Sequence, residues 1–205
     1  MSDIGNLFVI AAPSGTGKTT LVKTLTDQLS NLTVSISHTT RYQRPNEVNG
    51  VNYHFIDQTT FDAMVAHDDF LEHAIIFGNG YGTSKSMVQQ TLQKGIDVIL
   101  EIDWQGHQQI KKLFPDSISI FILPPSFADL KNRLETRNQD EPDIIKIRLA
   151  DAQKTLQHIH EFDYVVLNED FVRAVADLST IILAERLTQK RQTAKFASLL
   201  STFLV

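Results

Sequence analysis

The sequence predicts an α/β fold built on a parallel sheet, and three observations carry that expectation. Short apolar runs of strand length alternate with stretches whose apolar residues recur at helical spacing. The first apolar run feeds a glycine-rich loop that opens directly into a helix. Two polar stretches interrupt the alternation, and its rhythm resumes after each. Strands alternating with helices imply parallel pairing, with ligands at the carboxyl ends of the strands.

Leu7-Phe8-Val9-Ile10-Ala11 is apolar throughout, as a strand covered on both faces is. Its crossover helix runs from Thr20 to Leu29, where Leu21, Val22, Leu25 and Leu29 return at helical spacing. Thr33-Val34-Ser35-Ile36-Ser37 reads as a short second strand. His38 to Phe55, rich in Arg, Asn, Gly and Tyr, shows no helical period and reads as an insertion with short strands of its own. Phe61, Met64 and Val65 suggest a helix, and Gly78-Asn79-Gly80-Tyr81-Gly82-Thr83 a tight glycine-rich turn. Ile96 to Asp103 is a strand that ends in acid. Ser117–Leu123 is another, closed by Pro124-Pro125, which continue neither helix nor ladder. Ser126 to Ala152 is helical but broken at Asn138-Gln139-Asp140-Glu141-Pro142-Asp143. Arg133, Arg137 and Arg148 flank the break, so this stretch reads as a lid with basic side chains facing inward. Tyr164-Val165-Val166-Leu167 is the last strand, and Phe171 to Arg186 a helix.

Composition narrows the classes. A chain of 205 residues suits one α/β domain with insertions. A formal net charge of −5 argues against bulk binding to DNA or RNA, though not against a small basic pocket. There is no cysteine, hence no disulfide and no cysteine-ligated zinc. Met1 to Asn6 lacks the basic and apolar regions of a signal peptide, and no apolar run approaches the roughly 18 residues of a membrane helix. The expectation is a soluble, cytoplasmic protein with no membrane partner.

The loop Ala12-Pro13-Ser14-Gly15-Thr16-Gly17-Lys18-Thr19, with Thr20 behind it, has the context of a phosphate-binding P-loop. Gly15 and Gly17 let successive N–H groups point inward at phosphate oxygens, and the helix adds its positive end. Lys18 can reach the β- and γ-phosphates, and the Thr19 hydroxyl suits Mg²⁺. Ala12 stands where the strict pattern has Gly; as the smallest replacement it is tolerated. Past the second strand, Arg41 and Arg44 form a guanidinium pair suited to forked hydrogen bonds with phosphate. Tyr53 and Tyr81 offer phenolic donors. Glu72 lies beside apolar neighbours, and a buried carboxylate needs partners. A guanine edge offers two adjacent N–H donors, and adenine does not. By spacing alone Glu72 reads equally well as a surface acid.

Ser37–Arg44 with Glu47, Gly50 and Tyr53, then Phe70–Thr83, then Leu100-Glu101-Ile102-Asp103-Trp104-Gln105-Gly106, resemble the signature stretches of the guanylate kinase family. The resemblance runs from about Leu7 to Glu185. It implies a P-loop NTPase core with a parallel sheet, a GMP-binding insertion and a helical lid. It also implies transfer of the ATP γ-phosphoryl to GMP with Mg²⁺ as cofactor. Carried over by motif, Arg41, Arg44, Tyr53 and Tyr81 hold the GMP phosphate. Ser37, Glu72 and Thr83 read guanine, with Glu101 or Asp103 nearby. Lys18 and the lid arginines Arg137 and Arg148 offset charge on the transferring group, Arg41 fixes the acceptor, and Asp103 serves Mg²⁺ through water. The expected organisation is one domain over 5–185: core 5–36, 90–125 and 153–185, insertion 37–89, lid 126–152. Pro45-Asn46-Glu47 departs from the family's usual turn, and Asn46 tolerates positive φ.

A related kinase acting on a sugar phosphate has no use for Glu72 with Ser37. A guanylate-kinase-like binding module typically lacks a working P-loop, and here the loop is intact. No Asn-Lys-x-Asp motif supports a GTPase, and no His-Glu-x-x-His supports zinc. Trp104 reads as packing, and His158 and His160 as surface residues. The tail 186–205 has the period of an amphipathic helix; it is expected to pack on the core or on a second copy of the chain, as in a homodimer.

Overall fold

The computed structural model of the chain describes residues 4–136 and 142–203. β1 (Leu7–Ala11) is buried along its whole length. Side chains alternate across a strand, so Leu7 and Val9 enter one apolar cluster while Phe8 and Ile10 enter another. In chain order β1 is followed by α1 (Lys18–Gln28), β2 (Leu32–Val34), β3 (His38–Thr39) and β4 (His54–Phe55). Next come α2 (Gln58–Ala66), β5 (Phe70–Ile76), β6 (Asn79–Ser84) and α3 (Lys85–Gln93). They lead to β7 (Asp97–Glu101), α4 (Trp104–Leu113), β8 (Ile118–Leu123), α5 (Phe127–Thr136) and α6 (Pro142–Gln157). A 3-10 turn (Ile159–Glu161), β9 (Tyr164–Leu167), α7 (Phe171–Arg186), α8 (Gln189–Lys195) and α9 (Ala197–Ser201) complete the order.

Among the described residues the strands form two sheets. The larger is ordered β2-β7-β1-β8-β9 and is parallel throughout. Leu21, Val22 and Leu25 of α1 and Ala174, Val175, Leu178 and Ile182 of α7 cover one face. Val88 and Leu92 of α3 and Ile110 of α4 cover the other. With β1 at the centre, the loop after Ala11 leaves the carboxyl edge between two neighbours that are distant in sequence, which is where such sheets bind ligands. The smaller sheet, β4-β3-β6-β5, is mixed and comes from the interrupting polar stretch. No helix among the described residues is long and apolar enough to cross a membrane.

Several expectations are corrected. The second strand stops at Val34: Ser35 still donates to the Ile99 carbonyl, after which the chain crosses to the smaller sheet. Of the stretch Gly78–Thr83, all but Gly78 belongs to strand β6, and the turn is Phe77-Gly78, both with positive φ. A Cβ on Gly80 would stand 2.8 Å from Phe61, and one on Gly82 2.8 Å from Phe70, so these glycines make room for aromatic rings against the sheet. Asn46 does not adopt positive φ; Glu47 N closes the turn onto the Arg44 carbonyl instead. The acid-ended strand is shorter than expected: past Glu101, Ile102 leaves the ladder and Asp103 caps α4. The tail is two short helices broken at Phe196, with Phe196, Leu199, Leu200 and Phe203 exposed. Polar groups tie it to the core: Arg191 reaches Asp97 and Asn6, and Lys190 pairs with Asp116.

Candidate active site

Gly15 (φ 91°) and Gly17 (φ 94°) hold the left-handed conformation that lets the loop turn back before α1. The loop is pinned from behind. Thr16, fully buried, donates through its hydroxyl to the Pro13 carbonyl at 2.8 Å. Its own carbonyl accepts from Asn168 Nδ2 at 2.7 Å and Arg133 Nη1 at 3.1 Å. With the carbonyl turned away and held by two donors, the N–H side of the loop is left for an anion. Ala12 packs on the core cluster behind β1, so its methyl lies against apolar neighbours. Pro13 is buried, Ser14 half-buried and Thr20 exposed. An open groove of about 370 Å³ runs between the loop and α5, lined by Gly15, Gly17, Asn132, Arg133 and Thr136.

Lys18 reaches across the edge of the sheet to the Ile102 carbonyl at 3.3 Å. Burial lowers its pKa, and Glu101, Asp103 and Glu72 act against that shift. These carboxylates come from the end of β7, the cap of α4 and strand β5, so Lys18 is where the two sheets meet electrostatically. Thr19 Oγ1 donates to Glu101 Oε2 at 2.9 Å. Glu101 thus stands on the loop side, although its field also reaches Tyr53. Asp103 accepts from Gly106 N and Gln105 Nε2, each at 3.0 Å, as the N-cap of α4.

The smaller sheet carries the other group. Arg41 Nη2 pairs with Glu47 Oε1 at 2.7 Å, both side chains 16% exposed. Burial works against the Arg41 charge, and its hydrogen bonds to Glu47 and Tyr81 more than offset that, so its pKa is raised. The guanidinium also lies 5.5 Å from the Tyr53 ring and 5.7 Å from the Phe55 ring. Glu47 Oε2 accepts from the Arg44 backbone N–H at 2.8 Å; the Arg44 side chain is exposed. Burial beside Tyr81 and Glu101 pushes the Tyr53 phenol up to about 12, so it stays a donor. Ser37 is half-buried, and its carbonyl accepts from His54 N.

Glu72 is 4% exposed and accepts from the Thr83 hydroxyl at 2.5 Å across the β5–β6 pair. Burial pushes its carboxyl up to about 7; the Thr83 hydrogen bond and Lys18 pull it down, and Asp103 pushes it further up. One oxygen is thus partnered within the protein, in a place where ionisation needs further donors.

The structure brings Lys18, Glu72, Glu101 and Asp103 together, and Arg41, Tyr53 and Tyr81 together beside them. Arg133, the least favoured of the lid arginines in the sequence, touches the loop directly. Arg148 is half-buried on α6, and Arg137 lies outside the described residues. Asn168 escaped sequence reasoning; its place just past the carboxyl end of β9 is the signal that could have found it. Glu47, three residues past Arg44 in the same stretch, orients Arg41.

A family model described as guanylate kinase matches residues 4–185. The guanylate kinase of Pseudomonas fluorescens (strain Pf0-1) is 53% identical to this chain, covering 98% of it and 97% of the relative. That of Alcanivorax borkumensis is 53% identical, covering 100% and 99%. The crystal structure of guanylate kinase from Anaplasma phagocytophilum superposes with a TM-score of 0.77 at 31% identity, covering 93% of this chain and 90% of that one. A parallel core, a second sheet with a buried carboxylate and an intact phosphate loop agree with these matches, and the chain belongs to the guanylate kinase family.

Proposed function

We propose that this chain uses ATP to phosphorylate GMP, giving ADP and GDP, in purine nucleotide metabolism and GMP recycling. Membership of a family of phosphotransferases supports this, and one observation carries the acceptor's identity. Glu72, buried and bonded to Thr83, lies within the field of the phosphate-loop lysine, so a base-reading carboxylate and a phosphate-binding loop share one site. ATP and GMP are cytoplasmic nucleotides, and we place the work there, with no nucleic acid as partner.

In this reading residues Ala12 to Thr20 hold the ATP phosphates. Arg41, Arg44, Tyr53 and Tyr81 hold the GMP phosphate, while Ser37, Glu72 and Thr83 read the base, with Asp103 and Glu101 beside them. The acceptor phosphate oxygen is already largely anionic, so the chain supplies position and charge rather than a strong base. Lys18, Arg137 and Arg148 offset charge on the transferring group. Glu47 holds Arg41 so that its remaining N–H groups face the acceptor in a fixed plane. Drawing α5 and α6 over the nucleotides excludes water from the transferring group.

The residues present fit Mg²⁺. The donors are hard oxygens, Thr19 Oγ1 and Asp103, and each Asp103 oxygen accepts one hydrogen bond, which leaves lone pairs for a water. No group of three or more His, Cys, Asp or Glu that could hold a metal occurs among the described residues. When bound, Mg²⁺ neutralises charge on the β- and γ-phosphates.

A coupled ADP-release assay with ATP and Mg²⁺, comparing GMP, AMP, UMP and CMP, tests the reading. Strong preference for GMP is expected, by up to about 10⁴-fold where a polar edge goes unmatched. Equal use of AMP refutes the role of Glu72.

A further inference from the structure

α6 is anchored at one end. Toward its C-terminus Ala152 and Thr155 are buried, and Leu156 packs on Ala11, Phe121 and Phe162. Toward its N-terminus Ile144 and Ile147 are exposed. The chain that follows is gripped by one face of α4. The His158 ring stacks on the Trp104 indole, centroids 3.7 Å apart and planes inclined by 5°. His158 Nδ1 lies 2.6 Å from Glu161 Oε1, and Gln108 Nε2 donates to Glu161 Oε2 at 3.0 Å. His107 stacks on Phe162 at 4.1 Å. Trp104, His107 and Gln108 are spaced i, i+3, i+4, so they share a face. Trp104 is the first residue of α4, directly after the Asp103 cap, so the clasp closes beside the site. Asp151 of α6 is near enough to Asp103 to feel its charge.

We propose that the Trp104–His158 stack fixes the angle at which α6 leaves the core, and that both are positioning residues for Arg148 in phosphoryl transfer. The proposal rests on the GMP kinase reading above. Two stacked planar rings resist separation, because their dispersion depends on overlap, and the bonds from Glu161 to His158 and Gln108 hold this stack against turning. From Arg148 to His158 the helix rises about 15 Å. A rotation of about 10° at the stack therefore moves Arg148 by about 2.6 Å. Misplacing a reacting arrangement by about 1 Å can cost about 10²-fold in rate. Loss of the ring leaves the Leu156 anchor in place, so the fold survives while the angle of α6 is no longer fixed.

Steady-state kinetics of His158→Ala and His158→Phe test it. His158→Ala is expected to lower kcat with GMP at least about fivefold while KM for ATP stays within about twofold. His158→Phe, which keeps a planar ring, is expected to restore kcat. Trp104 is the sole tryptophan, so acrylamide quenching of its emission reads the stack directly, and in the wild type this needs no substitution. Quenching should rise in His158→Ala. In the wild type it should be the same with and without GMP plus a non-hydrolysable ATP analogue. Full kcat in His158→Ala, or a wild-type indole that becomes more accessible when nucleotides bind, overturns the positioning role of the stack. Failure of the functional reading looks different: the wild type itself then releases no ADP with GMP, and the positioning role falls with it.

Discussion

A Cβ on Gly106 would stand 2.5 Å from Glu72 Oε2. The carboxylate therefore owes its place on β5 to a missing side chain on α4. The close approach strips water from Glu72, and that loss of hydration is the main reason its carboxyl is pushed up to about 7.

The pH dependence follows from that value. An unfolded glutamate titrates near 4.5, whereas Glu72 holds its proton to about 7. Between those values the unfolded chain gives up the proton first. The nucleotide-free protein therefore loses stability as pH rises through this window, by on the order of 3 kcal/mol. Denaturant unfolding at pH 5 and pH 8 reads the loss, and Glu72→Gln should flatten it. Guanine recognition wants the ionised form, so KM for GMP should fall as pH rises through about 7. That part of the profile should be missing in Glu72→Gln, with KM for ATP unchanged.

Glu47 is a positioning residue with a measurable load. Glu47→Ala frees Arg41 from a pair in which both side chains are mostly buried and removes the acceptor from the Arg44 N–H. A charge-assisted bond contributes about 1.5–3 kcal/mol, so kcat/KM for GMP should drop about tenfold or more. Arg41→Met and Arg44→Met should weaken GMP use by at least about tenfold. ATP binding, read by calorimetry with a non-hydrolysable analogue, should survive in all of them.

Asn168→Ala removes one of two donors to the Thr16 carbonyl. The loop then keeps its glycines but loses part of its backing, and KM for ATP should rise several-fold while KM for GMP moves little. An equal rise for both nucleotides counts against a role confined to the loop.

Asp97 predicts stability without activity. It is 1% exposed, bonded to Arg186 at 2.7 Å and to the Asn6 N–H at 2.6 Å, with Arg191 at 3.4 Å. Asp97→Ala leaves two arginines facing each other without their anion, at a cost of about 3–5 kcal/mol. Thermal unfolding should shift down by roughly 6–20 °C, with kcat at 25 °C close to wild type.

Local patterns made the larger sheet legible. β1, β9 and α7 are each announced by an unbroken apolar run or a helical period, signals that need no knowledge of the partner. In the smaller sheet the short strands of the 38–55 insertion were legible, but β6 was not, because the reason for Gly80 and Gly82 is a ring on another segment. Ser35 illustrates the same limit: its N–H pairs like a strand residue while its chain is already leaving the sheet. In the site, the phosphate loop is a contiguous signal and was read in place. Asn168 and Gly106 take their roles from what the fold sets beside them, Thr16 and Glu72, which their places in the chain do not reveal.

The smaller sheet is one continuous piece of chain, entered after β2 and left into α3. It leans on α4, where Gln109 exchanges both backbone bonds with His73 and Gly106 gives way to Glu72. Base preference could therefore be exchanged as a cassette, by transplanting residues 38–84 together with the two α4 positions that meet them. The phosphate loop, which carries Lys18, would keep its own sequence.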